Sequence, residues 1–243
     1  MKKSSHIRKE KKNNFPFLPP GCPYYLAPSV LSADFACLER DIRKVLKTGV
    51  KWIHLDVMDG HFVPNLTFGA PVIKSIRRRF PDVFLEAHLM IEEPFRYLKD
   101  FKNAGVNSLT LHAETCPDIR ESVRKIHKEG IAAGFTVKPK TSLKKIEPYL
   151  NYLDMVLVMS VEPGFGGQDI IPSTLNKVRR LKLLKREKGY RFTIQIDGGI
   201  NSETAPLALA AGAEVFVAGS AVFAKGRVAQ NIKILRKSLD NAS

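Results

Sequence analysis

From Tyr25 onward, short apolar runs alternate with amphipathic stretches, and turn residues separate them. Eight of the runs read as strands, over residues 25–30, 51–56, 83–89, 108–112, 132–137, 155–159, 193–196 and 214–218. Helical patterns lie between them, among others at 38–48, 72–80, 119–129 and 174–188, and a last one at 228–239 closes the series. At 174–188, Leu175, Val178, Leu181 and Leu184 recur at helical spacing while Lys and Arg fill the other face.

One junction recurs three times. Thr48-Gly-Val-Lys-Trp-Ile-His-Leu, Asn103-Ala-Gly-Val-Asn-Ser-Leu-Thr-Leu and Ala211-Gly-Ala-Glu-Val-Phe-Val each end a helix at Gly and enter a strand. Glycine suits that place because the left-handed conformation costs it nothing. Strands separated by helices run parallel, with right-handed crossovers. Eight such units within 243 residues predict an α/β fold, a single-domain TIM (β/α)8 barrel over residues 24–243. An open, doubly wound sheet is the other arrangement of such units. It usually carries a phosphate loop after its first strand, and Ala27-Pro-Ser-Val-Leu-Ser offers none.

Composition agrees with a globular chain, 44% hydrophobic and 26% charged. The longest apolar run, 152–161, contains Asp154 and is far shorter than the roughly 20 residues of a membrane helix, so no membrane partner is expected. The net charge of +15 is partly local, because residues 1–14 hold six Lys or Arg against the one acid Glu10. A basic body suits an anionic substrate, a solvated surface, or loose attraction to nucleic acid. Aromatic platforms, helix-turn-helix spacing and a CxxC finger are all missing, so no nucleic-acid partner is expected. Cys22, Cys37 and Cys116 are odd in number and lack CxxC spacing, which points to reduced thiols in a cytoplasmic protein. Residues 1–23 form a basic extension ending in four prolines over residues 15–23, unable to start a helix or a central strand. It lacks the apolar segment of a secretory signal; an organelle-targeting role stays open.

In a β/α barrel the C-terminal strand ends carry the chemistry. The second strand ends His54-Leu-Asp56-Val-Met58-Asp-Gly, and strand alternation puts His54, Asp56 and Met58 on one inward face. The third ends His88-Leu-Met90 and the seventh Asp197-Gly-Gly. Two imidazoles and two carboxylates meeting at one mouth make a four-ligand nitrogen and oxygen site for a divalent ion such as zinc, iron, manganese or cobalt. After the sixth strand comes Val161-Glu-Pro-Gly-Phe-Gly-Gly-Gln168, after the seventh Asp197-Gly-Gly-Ile, after the eighth Ala218-Gly-Ser-Ala221. Three glycine-rich loops in succession there predict a phosphate cradle of backbone N–H groups.

These motifs, together with Leu26-Ala-Pro-Ser-Val-Leu-Ser-Ala-Asp34, the long run from His54 to Asn65 and Met159-Ser-Val-Glu-Pro-Gly-Phe-Gly-Gly-Gln168, resemble the signatures of the ribulose-phosphate 3-epimerase family, in that family's order. The resemblance spans about residues 24 to 240. It implies interconversion of D-ribulose 5-phosphate and D-xylulose 5-phosphate in the pentose phosphate pathway. It also implies that His54, Asp56, His88 and Asp197 hold the metal, with Asp56 and Asp197 doubling as acid and base. Ser29, His88, Gly164, Phe165, Gly166, Gly167, Gly198, Gly199, Gly219 and Ser220 would contact substrate. Two departures stand out: Leu-Glu86-Ala-His replaces the common Asp-Val-His pattern, and Lys138-Pro-Lys-Thr141 has no small residue at Lys140. Neither is expected to touch a metal or catalytic position.

Inverting C3 requires a proton removed from one face and a proton delivered to the other. Strands two and seven are three steps apart round an eight-strand ring, so Asp56 and Asp197 can flank a substrate. Met58, Met90 and Met159 would line the pocket, by design or as plain gap-fillers. His61 and His112 lie near strand ends without partners in the pattern, and Glu114 and Asp59 read as supporting or surface acids. The rivals are an epimerase for a six-carbon ketose phosphate and an aldolase or synthase of similar barrel shape, the latter disfavoured because no strand-end lysine stands where a Schiff base would be expected. A homo-oligomer is expected, of a size the sequence does not specify.

Overall fold

Eight strands alternate with helical segments throughout the computed structural model, which describes residues 23–242. The strands are β1 (Tyr25–Pro28), β2 (Trp52–Met58), β3 (Phe84–Met90), β4 (Ser108–His112), β5 (Ala132–Val137), β6 (Met155–Met159), β7 (Thr193–Asp197) and β8 (Val215–Ala218). The α-helices are α1 (Leu38–Leu46), α2 (Ala70–Arg79), α3 (Leu98–Ala104), α4 (Ile119–Lys128), α5 (Leu175–Lys188), α6 (Thr204–Ala211), α7 (Ser220–Phe223) and α8 (Val228–Asp240). The expected extension over residues 1–23 lies, but for Pro23, outside the described residues.

All pairings are parallel, in the order β1-β8-β7-β6-β5-β4-β3-β2. A parallel bridge between Ser29 and His54 joins the two ends of that order and nearly closes the barrel. No α-helix follows β5. The segment there holds two 3-10 turns, Leu143–Lys145 and Glu147–Tyr152, the second with Pro148 in its first turn. Gly49, Gly105 and Gly212, at the three repeated junctions, all have positive φ (83°, 86° and 114°).

Strand alternation sorts the side chains into two cores. Ile53, Leu55 and Val57 of β2 and Leu85, Ala87 and Leu89 of β3 pack outward in the main apolar cluster with Ile73, Ile76 and Phe101 of α2 and α3. Inside the barrel, Ala27, Trp52, Ala132, Met155, Val215 and Val217 form an apolar floor. Above it the interior turns polar, with Glu86, Ser108, Thr110, Thr136 and Gln195 all buried. This departs from the branched apolar filling usual in such barrels. Gly134 makes room for it: a Cβ there would lie 2.5 Å from Thr110 Oγ1. No helix among the described residues is long and apolar enough to cross a membrane.

Candidate active site

Register alone brings the second and third strands' chemistry together. His54 pairs with Glu86, Asp56 with His88 and Met58 with Met90, so two adjacent strands stack their inward residues in matching layers. Across the barrel, β7 delivers Asp197 beside Met159 of β6 and Val217 of β8. The chelating atoms of His54, Asp56, His88 and Asp197 all lie within 4.8 Å of one another. Both histidines are fully buried, and Asp197 keeps 17% of its side chain exposed at the mouth.

Asp56 Oδ1 lies 3.2 Å from His54 Nε2 and 3.2 Å from His88 Nδ1, and its Oδ2 accepts a 2.5 Å hydrogen bond from Ser29 Oγ. Asp197 Oδ2 lies 3.9 Å from His54 Nε2 and 3.8 Å from His88 Nδ1. His54 Nε2 is wholly buried and has no hydrogen-bond partner. A buried, unpaired nitrogen facing two carboxylates and a second imidazole fits a divalent ion held by nitrogen and oxygen ligands.

The two carboxyls are held at opposite ends of their range. Burial pushes Asp56 up, but the charge of His54, with the contact and charge of His88, outweighs it and holds Asp56 far below the usual range. Burial and the charge of Asp56 push Asp197 up, against the pull of His54 and His88, to about 6. Burial lowers His54, yet Asp56 and Glu86 on its two sides raise it well above the ordinary imidazole value.

A pocket of about 530 Å³, counting its open mouth, lies over this cluster. Ser29, Asp56, Asp197, Met58, Met90 and Met159 line it, as do Gly164, Phe165, Gly166, Gly167, Gly198, Gly199, Gly219 and Ser220. His54 and His88 sit beneath the lining. The structure thus brings every one of the expected site residues to one place. Backbone crowding explains the glycines after β7. Gly199 has φ +63°, and a Cβ there would fall 2.4 Å from the backbone nitrogen of Ile170. Gly198, at φ +115°, would drive a Cβ into Val161. Ser160 Oγ, within hydrogen-bonding reach of the Asp197 and Gly198 carbonyls, fixes the same turn from β6.

Two expectations need correction. Glu86 was not expected to touch a metal position, yet its Oε2 lies 3.2 Å from His54 Nδ1. It also accepts from Trp52 Nε1 (2.9 Å), Thr110 Oγ1 (2.9 Å) and Gln195 Nε2 (2.7 Å). Burial raises Glu86, but these contacts, His54 foremost, hold it below its ordinary value, so it is a carboxylate. His112, expected to lack partners, has its Nε2 2.9 Å from His88 Nε2. Parity along β3 and β4 was the available signal, since Glu86, His88 and His112 all fall on inward positions. The other polar residues stay out of the cluster. Asp59 accepts from the backbone N–H groups of His61, Phe62 and Glu92, tying two mouth loops together, and His127 pairs with Asp154 on the outer surface.

The family model for the ribulose-phosphate 3-epimerase family matches residues 25–223. A curated ribulose-phosphate 3-epimerase of Bacillus subtilis is 46% identical over 214 residues, covering 88% of this chain and 98% of its own. The ribulose-phosphate 3-epimerase, cytoplasmic isoform, of Oryza sativa is 40% identical, covering 89% of this chain and 95% of its own. Among solved structures, 3-keto-L-gulonate-6-phosphate decarboxylase from Vibrio cholerae superposes with a TM-score of 0.68 at 15% identity, over 90% of this chain and 99% of that one, which shows the shared barrel. With that match, and with the strand-end cluster the family's motifs anticipate, this chain belongs to the ribulose-phosphate 3-epimerase family and is an epimerase of the isomerase class.

Proposed function

We propose that the chain interconverts D-ribulose 5-phosphate and D-xylulose 5-phosphate, a step of the pentose phosphate pathway, by moving protons at C3 between two aspartates. The observation that carries this reading is the placement of Asp56 and Asp197. They line one pocket from strands three steps apart, so a flat intermediate between them has a carboxyl on either face. The C3 proton is acidic because C2 is a ketone, and its loss leaves an enediolate. One aspartate takes that proton, and the other delivers one to the opposite face.

His54, Asp56, His88 and Asp197 would hold a divalent ion, which when bound supplies positive charge to stabilise the oxyanion that develops. Ser29 orients Asp56 through its short hydrogen bond. The backbone around Gly198, Gly199, Gly219 and Ser220 would receive the phosphate, leaving the sugar over the two aspartates. Met58, Met90 and Met159 give the pocket an apolar wall that keeps water from the exposed carbon. A cytoplasmic location and a homo-oligomeric state belong to the same proposal, the former supported by the rice relative's name.

A coupled assay with purified protein tests the reading. Turnover of ribulose 5-phosphate to xylulose 5-phosphate that stops on chelation and returns with a divalent ion is expected. Turnover only of a six-carbon ketose phosphate, or undiminished turnover in metal-free protein, would overturn it.

A further inference from the structure

His88 turns its two nitrogens to different tasks. Nδ1 faces Asp56 and Asp197, while Nε2 lies 2.9 Å from Nε2 of His112. Two imidazole nitrogens at that separation share one proton, so one ring donates and the other accepts. His112 is wholly buried, with the Phe62 ring 4.7 Å away, and its Nδ1 lies 3.6 Å from Glu114 Oε2. His112 Nδ1 and Glu114 Oε2 are both buried and neither has a hydrogen-bond partner, which leaves each facing the other across 3.6 Å. The remaining Glu114 oxygen accepts the backbone N–H of Lys138 at 2.9 Å.

The direction of this chain follows from its two ends. For Nδ1 of His88 to offer a lone pair to a cation, the ring's proton must sit on Nε2. His112 must then accept at Nε2 and carry its own proton on Nδ1, where Glu114, able only to accept, receives it. With a cation between His88 Nδ1 and Asp56, this order leaves no lone pair facing a carboxylate, whereas the reverse order would still aim the His112 Nδ1 lone pair at Glu114 in a buried space.

We propose that His112, itself oriented by Glu114, is a positioning residue that holds His88 in the tautomer presenting Nδ1 to a divalent cation. The proposal rests on the reading of His54, Asp56, His88 and Asp197 as a metal site. Partners behind a metal-binding histidine fix its ring and tautomer, and losing one typically costs about 10- to 100-fold in metal affinity.

The test is a Co²⁺ titration of the full-length, metal-depleted protein, followed by the visible absorption of the bound ion, with ¹⁵N spectra of the histidine rings. Wild type should bind Co²⁺ with His88 protonated at Nε2. His112→Leu, which fills the space without an acceptor, should bind roughly 10- to 100-fold more weakly. His112→Gln, which restores an acceptor, should recover most of that loss. Glu114→Gln, at a partly exposed side chain, gives a second probe should His112→Leu fail to fold, and it should weaken Co²⁺ binding and leave His112 in mixed tautomers. Wild type that binds Co²⁺ while His112→Leu and Glu114→Gln bind it equally well overturns the positioning role alone. So does a Co²⁺-bound His88 that carries no proton on Nε2. Wild type that binds no Co²⁺ overturns the metal reading, and this inference with it.

Discussion

Glu86 stands directly behind His54, its Oε2 3.2 Å from the ring's Nδ1, while the ring's other nitrogen faces Asp56 and Asp197. The same carboxylate gathers donors from β2, β4 and β7, so one side chain both orients a candidate ligand and satisfies the barrel's polar middle layer. Buried polar networks of this kind are costly when half made.

Removing the Glu86 carboxylate therefore unsettles the fold before it affects chemistry. Glu86→Ala would strand the Trp52, Thr110 and Gln195 donors in a dry interior beside His54. A loss of about 3–5 kcal/mol in unfolding free energy is expected from denaturant titration. Glu86→Gln should lose less, because its amide oxygen still accepts. Equal stability of wild type and Glu86→Ala would contradict the network.

A side chain at Gly199 cannot be absorbed by a rotamer change, because the obstacle is the Ile170 backbone and φ is +63°. Gly199→Ala should cost about 1–3 kcal/mol in stability. It should also raise KM for the phosphorylated substrate, since the turn that faces the phosphate must shift. Steady-state kinetics and thermal unfolding of the same preparation check both.

Asp56→Asn and Asp197→Asn each keep an oxygen at the site but cannot carry a proton. Each should lower kcat by about 10² to 10⁴. Asp100→Asn, on the exposed surface of α3, should leave kcat within a small factor. Bound metal is measured in every variant by elemental analysis, because metal loss would produce the same fall in rate. Full metal content with wild-type kcat in either variant would remove that aspartate from the chemistry.

Glu114 sets a pH dependence of stability. Burial raises its carboxyl, but contacts with His112, Thr141 and the Lys138 backbone N–H, with Lys177 nearby, bring it to about 2. A carboxyl bound more tightly as the anion in the folded state contributes stability above its ordinary value of 4.5 and loses it as pH falls towards 2. The stability advantage of wild type over Glu114→Gln at neutral pH should therefore shrink across that window. A difference that stays constant from pH 7 to pH 2.5 would show that the charge of Glu114 is not what matters.

The strands were legible because each is a short apolar run that changes into polar chemistry at its end. His54, Asp56 and Met58 alternate with Ile53, Leu55 and Val57, and the two sets face the pocket and the helices as period two requires. The glycine loops were legible because close backbone approach leaves no alternative residue at Gly199. Glu86 and His112 escaped notice for one reason: their partners are distant in sequence. Glu86 meets Gln195 across 109 positions, and His112 meets His88 only through the register of β3 on β4. Local pattern reports which face a residue occupies; it does not report which strand closes over it. The missing helix after β5 had a local cause in Pro148, which, with the Ser142 cap of the preceding turn, breaks that stretch into 3-10 turns.

Proton exchange during turnover tests the two-aspartate account most directly. The purified protein is run in heavy water with D-ribulose 5-phosphate, and the D-xylulose 5-phosphate formed is examined for deuterium at C3 at early conversion. The account predicts solvent deuterium at C3 in every product molecule, because the proton taken on one face by one aspartate is not the proton delivered on the other. Product that carries the substrate's own hydrogen at C3 would show a single base moving one proton across, and the paired roles of Asp56 and Asp197 would be wrong.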